Sequence, residues 1–183
     1  LSDRRLTGLV RAFACLPQLD AVRIGTRAPV TLPMRVTPEL AHALGVSKKI
    51  WVNTQFNHVR EITPEATAAC ARLVDAGIPV SNQTVLLKGV NDSLEALFDL
   101  CAGLQRIRVR PYYVFLCDPI AGIAHFRVSL RRARSLERAL AERIGGLALP
   151  RFVMDVPGAL RKRPICDPAA NCLLDRANRA SFG

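Results

Sequence analysis

The sequence predicts an α/β fold on a parallel sheet, and three observations carry that expectation. Strand-like apolar runs centre near Val22, Ile50, Val80 and Val109, a recurrence of about thirty residues that matches one strand, one helix and two short loops. An amphipathic helical stretch precedes each next strand. Polar residues gather just after the strands: Arg27, residues 53–58, Asn82 and Gln83, residues 112–118, and Asp155. In (β/α) barrels that end of the sheet carries function, so a barrel is favoured over an open sheet.

Each element has a local justification. A first helix is expected over about residues 2–16, stopping before Pro17. Thr37-Pro38-Glu39 and Thr63-Pro64-Glu65 each place a capping hydroxyl, a proline at the first helical position and an acid in the first turn. The second of these helices ends near Ala76, where Gly77 can take the left-handed cap conformation. Asn91-Asp92 can cap the helix that carries Leu94, Leu97, Phe98 and Leu104. In the arginine-rich run 127–143, Leu130, Ala133, Leu136, Leu140 and Ile144 form an apolar stripe with arginines elsewhere, the pattern of an outer helix with a solvated face. A further strand is expected within residues 147–154.

A chain of 183 residues, half of them apolar, can bury one substantial core. No apolar run is long enough to span a membrane and no charged, apolar leader opens the chain, so a cytoplasmic protein is expected. Six scattered cysteines read as reduced thiols, with Cys15, Cys70 and Cys101 acting as small apolar residues within helices. The net charge of +11 raises nucleic acid as a partner. Against it, the basic residues are dispersed and aromatic residues are only 5% of the chain, which leaves little for base stacking.

Two lone carboxylates stand just past strand-like runs. Asp118 follows Arg110-Pro-Tyr-Tyr-Val-Phe-Leu-Cys, and Asp155 opens Asp-Val-Pro-Gly-Ala-Leu-Arg-Lys162. Acids at buried strand ends are costly unless a cation meets them, and a substrate ammonium would serve. The bland alternative is a pair of turn aspartates before Pro119 and near Pro157. Lys162 lies between Arg161 and Arg163, whose positive charge favours its neutral, nucleophilic form; the bland alternative there is a solvated basic tail.

From Val22 to about Lys162 the chain resembles lysine 2,3-aminomutases, radical enzymes that use S-adenosylmethionine and pyridoxal phosphate. The resemblance rests on five segments in order: residues 22–27, 51–58, 81–93, 110–118 and 122–127. It implies a partial six-stranded (β/α) barrel of the radical S-adenosylmethionine type, with the third to sixth strands present and the first two units missing. The unprotected sheet edge this leaves would favour association. The implied substrate is L-lysine, its amino group moving from carbon 2 to carbon 3, and the complete protein is expected to be a homo-oligomer.

The resemblance also assigns residues. Lys162 would hold pyridoxal phosphate, Asp118 and Asp155 would receive the distal ammonium of lysine, and Gln83 would contact S-adenosylmethionine. Tyr112 or Tyr113 could stack on the cofactor, though strand alternation puts them on opposite faces so that at most one points inward. Phe115 replaces a frequent tyrosine, Gln55 a frequent histidine, and residues 158–161 depart from a run of glycines. Asn53 and Asn57 are further rim candidates. His58 and His125 are assigned no metal, and Ser93 stands where some members carry a cysteine for an interface zinc.

The family's Cys-x3-Cys-x2-Cys loop for a 4Fe-4S cluster has no counterpart, because no two of the six cysteines are closer than six positions apart. The chain therefore reads as the second half of a family member, inactive alone. A non-catalytic remnant or binding domain is the rival reading. The aminomutase acting on elongation factor P is a further one, disfavoured by Cys117-Asp118 and the Asp155-x-Pro-Gly158 pattern. The expected organisation is a partial barrel over residues 1–162 and a poorly ordered tail over 163–183.

Overall fold

A computed structural model describes residues 1–118, 120, 122–156 and 160–167. Six strands form one sheet in chain order: β1 (Val22–Gly25), β2 (Ile50–Thr54), β3 (Val80–Leu86), β4 (Arg110–Leu116), β5 (Arg151–Met154) and β6 (Arg163–Pro164). The β1–β2, β2–β3 and β4–β5 pairings are parallel, and β5–β6 is antiparallel. Between them lie α1 (Asp3–Ala14), α2 (Ala28–Thr31), α3 (Pro38–Gly45), α4 (Pro64–Asp75), α5 (Leu94–Arg106) and α6 (Leu130–Ala141). Sequential parallel strands joined by helices are the arrangement of consecutive β/α units.

The chain divides into two compact units. The first comprises residues 1–56, 60–82 and 103–110. Its helices start where the sequence places them: Thr37 and Thr63 accept from the N–H groups of Leu40 and Ala66, both at 3.2 Å, with Pro38 and Pro64 opening the helices. Gly77 takes φ +79° after α4, the left-handed cap that glycine alone adopts at no steric cost. Buried Asn82 meets both backbone groups of Phe56, accepting from its N–H at 2.6 Å and donating to its carbonyl at 3.0 Å. Cys70 is buried as expected, but Cys15 is exposed at the C-cap of α1 and does not act as a core residue.

The second unit comprises residues 57–59, 83–102 and 111–183. Its core packs Leu97 and Cys101 of α5 and Ala133, Leu136 and Leu140 of α6 against sheet residues including Val114, Phe152 and Met154. The stripe predicted on α6 is therefore its buried face. Two expectations change here. Ser93, not Asn91 or Asp92, caps α5 by accepting from Ala96 N–H at 3.1 Å. Asn91, fully buried, instead donates to the carbonyls of Asn57 (2.8 Å) and Val85 (2.9 Å) and accepts from Leu87 N–H (2.7 Å). Arg163 and Pro164, expected to open a tail, form β6 against β5, and Ile165 behind them is fully buried. The rest of the expected tail, 168–183, lies outside the described residues.

Among the described residues no helix is long and apolar enough to cross a membrane.

Candidate functional site

Strand register brings the sequence-predicted residues of the second unit together. In the parallel β4–β5 pair, Tyr113 lies opposite Arg151 and Phe115 opposite Val153. Continuing that register places Cys117 and Asp118, just past β4, beside Asp155, just past β5. In the antiparallel β5–β6 pair, Met154 faces Arg163, so the residue after one and the residue before the other, Asp155 and Lys162, are also neighbours. Two carboxylates and one amine thus share the same end of adjacent strands.

The contacts follow. Lys162 Nζ donates to both oxygens of Asp155 at 3.3 Å and sits 4.0 Å above the centre of the Phe115 ring, within cation–π range. Tyr113 packs edge-on against Phe115 at 5.5 Å between ring centres. A cleft of about 980 Å³ opens here, lined by Tyr113, Asp155, Lys162, Arg151, Arg161 and Arg163 among others. The rings of Tyr112 and Tyr113 lie 3.9 Å apart with 34° between their planes. Tyr113 is the one lining the cleft. Gln83 is half-buried on β3.

Asp118 senses both partners. Loss of hydration raises its carboxyl above the ordinary value, the negative charge of Asp155 raises it further, and Lys162 pulls it back. A raised carboxyl favours the protonated form in the folded state. Its stabilising contribution is complete below the unfolded value of about 3.9 and is lost as pH rises through the higher folded value. At neutral pH the charge on Asp118 is therefore a local cost, small because the side chain reaches solvent. We expect Asp118→Asn to melt about 1–3 °C above the parent at pH 7 and to lose that advantage near pH 3. A lower melting temperature at pH 7 would mean that a cation already compensates Asp118.

Other candidates have structural work. Asn57 Oδ1 accepts from Val85 N–H at 2.9 Å and so supports β3. Asn53 is buried in the first unit, and His125 packs against Phe126. What sequence reasoning missed is Phe115 as the platform under Lys162; only the i, i+2 spacing of Tyr113 and Phe115 hinted that both rings share a face.

The residues fit pyridoxal phosphate: a primary amine opens into a roomy cleft, with aromatic faces beside it and arginines in the same wall. They do not fit an iron–sulfur cluster. Among the described residues no three of His, Cys, Asp and Glu gather as metal ligands; Cys70 and Cys101 are buried thiols, pushed up to about 12 by that burial.

Comparison with known proteins decides the family. The chain is 44% identical over 165 residues to the L-lysine 2,3-aminomutase of Fusobacterium nucleatum subsp. nucleatum, covering 90% of this chain and 39% of that one. It is 43% identical over 165 residues to that of Clostridium subterminale, covering 90% and 40%. The matched region is lysine 2,3-aminomutase-family sequence. Within the family, the glutamate 2,3-aminomutase of Clostridioides difficile is 36% identical over 165 residues, 90% of this chain and 39% of that one. The aminomutase-like chain spans about two fifths of the length of the relatives it matches. No protein-family model matches it. In fold it is similar to a radical SAM methyltransferase from Sphaerobacter thermophilus, with a TM-score of 0.53 and 19% identity over 74% of this chain and 40% of that one.

Proposed function

We propose that this chain forms the lysine-selecting and cofactor-holding part of a lysine 2,3-aminomutase, with Lys162 as the attachment point for pyridoxal phosphate and Asp118 and Asp155 as the receivers of the substrate's distal ammonium. The observation that carries the reading is the contact of Lys162 Nζ with both oxygens of Asp155. The ammonium of Lys162 stands where a substrate ammonium would stand, and it is chemically the same group. Two neighbouring acids reward a cation with charge-assisted bonds and penalise an acidic substrate by like-charge repulsion, which favours lysine over glutamate. Pyridoxal phosphate held at Lys162 would supply the imine that carries an amino group between adjacent carbons. The chain's own residues position: Phe115 and Asp155 hold the amine, Tyr113 walls the cleft, and Gln83 on β3 is proposed to contact S-adenosylmethionine.

The described residues offer no donor set for the cluster that would generate the radical, so conversion of lysine to β-lysine by this chain alone is not expected. The same observation favours a second reading, a binding domain without catalysis.

Titration with pyridoxal phosphate, borohydride reduction and peptide mapping test the proposal. The chain has only four lysines, Lys48, Lys49, Lys88 and Lys162, and peptide mapping tells each of them apart from the N-terminal amine. One equivalent confined to Lys162, with occupancy changed by added lysine and not by glutamate, is expected; labelling spread over all four would overturn it.

A further inference from the structure

Nothing in the contacts made by Lys162 itself explains how so short a strand as β6 is held in place. In an antiparallel pair, facing residues exchange two backbone bonds. Ile165 N–H donates to the Phe152 carbonyl at 3.1 Å, but the Ile165 carbonyl meets a side chain of α6. The Ile165 carbonyl accepts from Arg134 Nε at 2.7 Å; burial raises the nearby Glu137 carboxyl, and the Phe152 backbone and the Arg134 charge draw it back down. Arg134 and Glu137 are three apart and so share one face of the helix. The fully buried Ile165 and Phe152 side chains keep water from substituting.

We propose that Arg134 is a positioning residue for Lys162, with Glu137 acting on it through charge: the Arg134 bond holds the end of β6 in place against β5, and that register is what sets the amine beside Asp155 and over Phe115. The inference rests on the reading of Lys162 as the cofactor lysine. Neither residue touches the cleft, whose described lining does not include them, so they act only through the strand.

The test compares the parent with Arg134→Met, Arg134→Lys and Glu137→Gln in two measurements on the whole chain: hydrogen exchange of the Ile165 amide, and the pyridoxal phosphate concentration that half-saturates Lys162 in the borohydride assay. Arg134→Met is expected to speed Ile165 exchange about tenfold or more and to raise the half-saturating concentration by about tenfold or more, while circular dichroism retains the parent's helix content. Arg134→Lys, which keeps a cationic donor, is expected to recover most of both effects. Should Arg134→Met fail to fold, Glu137→Gln, which keeps the acceptor but not its charge, is expected to move both readouts in the same direction by a smaller factor. Unchanged Ile165 exchange overturns the clamp. Faster exchange with parent-like Lys162 loading overturns its positioning role. A parent that shows no selective Lys162 adduct overturns the cofactor reading, and the positioning role with it, before any variant is compared.

Discussion

Lys162→Ala is expected to abolish the stoichiometric pyridoxal phosphate adduct while melting within a few degrees of the parent. The two halves of that result come from different magnitudes. Covalent attachment is all or none, and the other three lysines lie elsewhere in the chain. Lys48 and Lys49 are tied to backbone carbonyls, Gly45 at 3.5 Å and Leu16 at 3.1 Å. The stabilisation lost is small. The Lys162–Asp155 pair is partly solvated, with side-chain exposures of 34% and 54%, so it contributes about 0–1 kcal/mol. The contact with Phe115 adds about 0.5–1 kcal/mol. Lys162→Arg separates charge from chemistry: it keeps a cation beside Asp155 and is expected to melt like the parent, yet to form no adduct. Mass spectrometry of the reduced protein reads both variants, and an equivalent of label persisting in Lys162→Ala would remove Lys162 from its assigned role.

A second large effect is expected in stability, at Asn91. Replacing it with alanine strips partners from the carbonyls of Asn57 and Val85 and from the N–H of Leu87. At about 1–3 kcal/mol for each buried polar group left unsatisfied, offset by partial hydration of half-buried backbone, the loss is about 2–4 kcal/mol. Asn91→Asp discriminates the reason. A helix cap accepts aspartate as readily as asparagine, whereas a residue that donates to two carbonyls cannot be a carboxylate without repulsion. Aspartate is therefore expected to be as damaging as alanine in urea denaturation. A mild Asn91→Asp variant would restore the capping role that the sequence suggests.

Asn91 also shows where sequence reading succeeds and where it stops. Thr37-Pro38-Glu39 and Thr63-Pro64-Glu65 are legible because a cap is made by residues within one turn, and the α6 stripe is legible because periodicity is local. Asn91 followed by Asp92 has the same local chemistry as a cap, but its partners include Asn57, far off in sequence and brought near only by folding. Ser93, one step further on, takes the capping role instead. Strand β6 was illegible for the same reason: Arg163-Pro164 has no alternation and becomes a strand only because β5 is beside it. Within the site, Lys162 and Asp155 are each singled out by spacing and family likeness, while their contact with one another and the Phe115 platform require the β4–β5–β6 register. Arg134 and Glu137 read as part of a solvated basic face because nothing in their neighbours in sequence announces Phe152 or Ile165.

The antiparallel return of β6 decides which spacing along the chain matters to the amine. Asp155 and Lys162 are placed by the two strands, through Met154 facing Arg163, and Lys162 is joined directly to Arg163. The spacing that is bound is therefore the one from Lys162 to Ile165, whose N–H is fixed to the Phe152 carbonyl. Because side chains alternate along a strand, one residue more or fewer there would turn Lys162 to the other face of the sheet. The count that aims the amine lies after the lysine, not before it.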